Sequence, residues 1–124
     1  IVLKMTAWQE SAGRERERDL ADIAHVFDRH LGPTDDRRYD DDAVESGLSH
    51  DHLGAFVMGR EVAGIARPKH RAKVTRFLDL VGDPSKPAFN DMFRLGPSAW
   101  KRDQDDPEEE LSSRLAAFRL GLGP

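Results

Sequence analysis

Apolar residues recur along most of this chain at steps of three and four, the period of an amphipathic helix. The first stretch, Ile1 to Gln9, has apolar residues at 1, 2, 3, 5, 7 and 8. They fall nearly all round, which predicts a buried helix broken at Gly13. Glu15 to Leu31 is the strongest pattern: Leu20, Ile23, Ala24, Phe27 and Leu31 share one face. Gly32-Pro33 supplies its stop. Residues 33 to 50, with five aspartates between Asp35 and Asp42, read as a long loop with room for one helical turn. A helix is predicted from Asp51 to Ala66, capped by Ser49 or Asp51, with Leu53, Phe56, Val57, Val62 and Ile65 facing the core. Gly54, Gly59 and Gly64 weaken it in isolation and suggest close packing on another backbone. Pro68, in the favoured first-turn position, opens a helix to about Val81 with Val74, Phe77, Leu78 and Val81 inward. Gly82 to Pro87 reads as a linker, and residues 88 to 106 are ambiguous. Asp106-Pro107-Glu108-Glu109-Glu110 starts a last helix, its acids at the positive dipole end. Leu111, Leu115, Phe118 and Leu122 form its stripe. No strand or repeat emerges, so the expectation is an all-α bundle of four to five helices.

Composition narrows the class. In 124 residues, 38% are hydrophobic and 34% charged, enough for one domain with a modest core. The 19 basic and 23 acidic residues give a formal net charge of -4, with no basic excess to argue for nucleic acid. There is no cysteine, which excludes disulfides and thiolate zinc sites. No apolar run is long enough to span a bilayer, so no membrane is expected and a cytoplasmic setting is the default. The chain opens inside a helical pattern at Ile1 and ends at Gly121-Leu122-Gly123-Pro124. The expectation is a fragment of a larger protein with a frayed tail. Such a fragment should expose apolar surface around Ile1 to Trp8 and self-associate to cover it.

The candidate chemistry lies between Lys4 and Asp22. Asp19 and Asp22, three apart on one helix, present carboxylates on neighbouring parts of its surface. Lys4 lies on the preceding helix, which must turn back at Gly13. An ammonium facing two carboxylates suits the handling of phosphate: the Lys holds oxygens, and a carboxylate orients it or takes a proton from a hydroxyl.

The pattern Lys4-x-x-Ala7-Trp8, a charged gap, then Arg18-Asp19-x-x-Asp22-Ile23-Ala24 resembles the third and fourth motifs of AbiEii-type nucleotidyltransferases. Arg18 stands where that family often has Lys. Arg14 or Arg16 would be the motif-three arginine, with Arg14 preferred. Gly54 to Ala63, containing Arg60 and Glu61, resembles a Leu-Gly-Arg-Asp type helix in some members. The resemblance covers about residues 1 to 82; nothing is recognised in 83 to 124, which read as linker and terminal helix. It implies catalytic roles for Lys4, Asp19 and Asp22, and substrate binding by Arg14, Arg18 and Arg60. The family's first two motifs, which carry the magnesium-binding carboxylates of an α/β nucleotidyltransferase domain, are absent. The resemblance therefore implies the helical C-terminal part of such an enzyme, inert alone, with Mg only in the complete enzyme. A nucleoside triphosphate substrate, a tRNA acceptor and an antitoxin partner are the implied partners.

Plainer readings stand beside these. Asp19 and Asp22 could form local ion pairs with Arg16, Arg18 or His25, which contribute little to stability. Lys4 could cover Trp8, and Arg60 could pair with an acid in the 35–42 loop. A helical module that binds a partner without catalysis is the alternative function. His50 and His52 flank Asp51, but two histidines lack the four ligands a structural zinc needs, so no metal site is assigned. Trp100 is a candidate interface residue.

Overall fold

The computed structural model of the chain describes residues 1–29, 35–96 and 106–124. Among these are seven α-helices, one 3-10 turn and no strand: α1 (Val2–Glu10), α2 (Gly13–Arg29), the turn (Asp36–Tyr39), α3 (Asp41–Glu45), α4 (His50–Ile65), α5 (Pro68–Val81), α6 (Pro87–Leu95) and α7 (Pro107–Leu122). The all-α architecture follows the expectation. The helix count exceeds it, because the acidic stretch folds into the turn plus α3 and the ambiguous stretch supplies α6. Leu31, the Gly32-Pro33 stop, His30 and Trp100 lie outside the described residues.

Each helix buries the stripe its spacing dictates. Leu20, Ile23, Ala24 and Phe27 are buried on α2, and Val74, Phe77, Leu78 and Val81 on α5. Pro68 and Pro87 sit in the opening turns of α5 and α6. There the missing N–H has no intrahelical partner to lose. Asp106 caps α7 by accepting from the Glu109 N–H at 3.1 Å. Ser49 is the N-cap of α4 without a side-chain cap bond. Its hydroxyl instead meets His52 Nδ1 at 3.1 Å.

The centre of the molecule is the crossing of α4 and α7. Leu53 through Gly59 are all buried on α4. The close approach expected of its glycines is carried by Gly59. A Cβ there would overlap the Phe118 carbonyl oxygen and stand 3.0 Å from the Leu122 nitrogen. From the other side, a Cβ on Gly121 would overlap the Phe56 carbonyl oxygen. The two helices thus meet backbone to backbone, an approach only glycine permits. Gly64 does not share this role, having nothing within 4 Å of its would-be Cβ. Ile65, expected in the core, is 78% exposed. It closes α4 just before the chain turns extended at Ala66, so its side chain projects past the packed part.

Buried residues from 1–82 and from 83–124 join one hydrophobic cluster, with α6 against α2 and α5 and α7 against α4. Trp8 meets Phe77 edge-on at 5.4 Å, and Phe27 meets Phe118 at 5.2 Å. Two expectations about the ends are corrected. Met5 and Trp8 are buried, so the apolar exposure expected over Ile1 to Trp8 shrinks mainly to Leu3, at 80%. The tail expected to fray is held instead. Gly121 and Leu122 belong to α7, and Arg71 donates to the Leu122 and Pro124 carbonyls, each at 2.6 Å. No helix among the described residues is long and apolar enough to cross a membrane.

Candidate functional site

Gly13, the first residue of α2, adopts a left-handed backbone, φ 61, a conformation glycine takes without strain. The chain reverses there, and the two helices pack antiparallel: Trp8 comes under Arg16 while Lys4 reaches Asp19 and Asp22. Lys4 Nζ donates to Asp22 Oδ2 at 3.0 Å and to Asp19 Oδ1 at 3.3 Å. Asp19 is 16% exposed, against 49% for Lys4 and 48% for Asp22. The cluster therefore sits at the surface with one carboxylate half sunk into the α1–α2 seam. The hydrogen bond to Asp22, then that to Asp19, raises the Lys4 pKa above its ordinary value. Lys4 is thus a permanent cation at neutral pH. Two of its three N–H donors are engaged, which leaves one for a ligand oxygen.

The surrounding arginines separate into three environments. Arg14 and Arg18 are exposed and make no hydrogen bond or ion pair with a described residue. At steps of four, Arg14, Arg18 and Asp22 run along one strip of α2, with Arg18 about one turn from Asp22 and Arg14 about one turn further. Arg16 lies 4.3 Å over the Trp8 ring, a cation–π placement. Between the two motif-three candidates, Arg14 is thus the one with its charge unengaged. Arg60 is elsewhere. Its guanidinium binds Asp40 at 2.9 Å and also Asp42, the loop pairing considered above. Neighbouring Glu61 takes Arg37. The segment resembling a motif helix therefore ties the acidic turn to α4, and Arg60 makes no contact with Lys4, Asp19 or Asp22.

The acidic turn is an ordered structure, not a loose loop. Asp35 accepts from the Arg37 backbone and guanidinium, and Arg37 beside it holds the Asp35 pKa down at about 2. Arg38 is buried and donates to the His50 carbonyl.

One further network joins distant helices. His52 Nε2 meets Glu110 Oε1 at 3.1 Å, and Arg114 Nε donates to the same oxygen at 3.0 Å. Arg114 also pairs with Asp28 at 3.7 Å and reaches the Phe27 carbonyl. The connections Ser49–His52–Glu110 have the order of a nucleophile, base and orienting acid. Here, however, Arg114 draws on the same carboxylate oxygen, and the group joins α2, α4 and α7 as a clamp. Burial pushes the Glu110 carboxyl up, and the His52 and Arg114 hydrogen bonds together more than offset this, leaving its pKa lowered. Glu110 and Arg114 are four apart on α7, a spacing the sequence shows, but His52 lies 58 residues from Glu110 and no local spacing signals that contact.

Magnesium does not fit the residues present. The space between Asp19 and Asp22 is taken by the Lys4 ammonium. Among the described residues, no group of three or more His, Asp or Glu could hold a metal ion. Comparisons with family models, curated proteins and solved structures each found no match. The class that the structure itself defines is an all-α helical bundle carrying a surface lysine clamped by two carboxylates.

Proposed function

We propose that Lys4, Asp19 and Asp22 form the helical half of a nucleotidyltransferase-type site, which handles the phosphates of a nucleoside triphosphate. The carrying observation is the Lys4 ammonium held by two carboxylates from the next helix. In this reading Lys4 offers its remaining donor to a phosphate oxygen, and Arg14 and Arg18 draw the triphosphate charge toward it. Asp19 fixes the ammonium, and Asp22, the more exposed, is placed to accept a proton from an incoming hydroxyl. Any magnesium of the complete enzyme is held by carboxylates outside these 124 residues, and the protein acts in the cytoplasm. A tRNA acceptor and a neutralising antitoxin belong to the same reading. Arg60, engaged by Asp40 and Asp42, is given a structural part.

The test is nucleotide transfer by the full-length protein, with labelled triphosphates and a mixed RNA and protein acceptor pool. Label should pass to an acceptor, and Lys4→Ala should remove it. Absence of transfer from every triphosphate would sink the reading. A non-catalytic module that binds a partner protein is the second reading. Tyr39 and Val44, 62% and 63% exposed on the turn–α3 segment, favour it. It predicts that Tyr39→Ser with Val44→Ser weakens an antitoxin complex, while Lys4→Ala leaves that complex intact.

A further inference from the structure

α7 packs against α4, and α5 packs against α1 and α6. A cavity of about 470 Å3 opens beside α7, against Leu78 of α5 and Gly82 just after it. That volume lies within the ~300–1,000 Å3 typical of small-molecule sites. Its floor is apolar, from Leu78 and Leu115, with Ala116 and Leu120 as an exposed rim and Ser112 toward one end. None of Lys4, Asp19 or Asp22 lines it.

The charge of the lining is one-sided. Arg119 is the lining residue with a charged side chain. Its guanidinium meets Asp79 at 3.0 Å through one nitrogen. Asp79 does not line the cavity, and the pair is 45% and 59% exposed. Exposed pairs of this kind contribute little and exchange partners readily. An entering carboxylate can therefore take up guanidinium donors that Asp79 leaves unused, in a paired geometry that arginine favours. Glu108 and Glu109 lie beyond Ser112, around a neighbouring recess that shares this serine. An anionic head is thus repelled from the Ser112 end and attracted to the Arg119 end.

We infer that the α5–α7 cavity is a binding site for a small aliphatic monocarboxylate, with its hydrocarbon on Leu78 and Ala116 and its carboxylate on Arg119. The inference is independent of the reading given to Lys4.

The probe is octanoate, titrated into the isotopically labelled protein and followed by NMR, with 1-octanol and octylamine in parallel. Octanoate should saturate one site, shifting the methyl signals of Leu78, Ala116 and Leu120. Octanol should bind more weakly and octylamine not at all. Arg119→Gln should weaken octanoate about tenfold and leave octanol unchanged. Ala116→Phe, which fills the cavity from a helical position, should abolish both. The unfolding midpoint of each variant confirms that it is folded. Equal affinity for octanoate and octanol, with no effect of Arg119→Gln, would overturn the ligand class. So would a cavity that fails to saturate, or one closed by a second copy of the chain, seen as a concentration-dependent mass that octanoate does not displace.

Discussion

The α4–α7 crossing and the α1–α2 hairpin are both contacts between two helices, but they are made of opposite materials. At the crossing, Gly59 and Gly121 let the carbonyls of Phe118 and Phe56 come where side chains would otherwise stand. Phe118, Val57 and Met58 are buried around them. At the hairpin, the outer contact is an ammonium between two carboxylates, half exposed to water. The first contact depends on shape and on desolvated apolar surface, so it should dominate stability. The second is screened by water and adds little to stability. A charged group that folding does not need is free to act on a ligand, which is why the candidate chemistry is placed at the hairpin.

The largest expected effect breaks the crossing. Gly59→Ala should cost about 1–3 kcal/mol in chemical denaturation, because its methyl meets backbone that cannot rotate away. Gly64→Ala, further along the same helix with open space around it, should stabilise by ~0.5–1 kcal/mol through helix propensity. If both substitutions stabilise alike, the close approach is not what holds α4 to α7.

A smaller effect sharpens the comparison, because the clamp from Glu110 is an ionic contact that is largely buried. Its folded pKa is lowered below the unfolded value. The stability it contributes is therefore fully present above the unfolded pKa and is lost as pH falls through the folded one. Denaturation followed from about pH 6 down to about pH 3 should show this loss in the wild type. Glu110→Gln should be less stable at the upper end and flatter with pH. An unchanged slope would mean that the carboxylate is not ionised against His52 and Arg114 in the folded state.

Much of the architecture was legible in the sequence because it rests on local periodicity. The stripes on α2, α5 and α7 were readable from their spacing, as were the helix starts at Asp106 and Pro68. Gly59 announced a close approach, but not its partner: the matching Gly121 sits in a stretch whose composition reads as a tail. Ile65 kept the right spacing and was still exposed, since spacing does not register where a neighbouring helix stops. The meeting of Lys4 with Asp19 and Asp22 followed from a reversal at Gly13 plus helical spacing, both short-range. Arg60 shows the opposite case. Its motif-like surroundings gave no hint that Asp40 and Asp42 would occupy it, although pairing with that loop was open on charge alone. In the His52–Glu110–Arg114 group only Glu110 and Arg114 share a local spacing, while His52 and Asp28 come from distant helices with no sequence signal.

The central claim is that the hairpin cluster serves function and not folding. Its most direct test pairs two readouts on full-length protein carrying Asp19→Ala: nucleotide transfer and the thermal unfolding midpoint. The account predicts transfer reduced at least about a hundredfold, with the midpoint moved by less than about 3 °C. Undiminished transfer, or a loss that merely tracks a large fall in the midpoint, would contradict it.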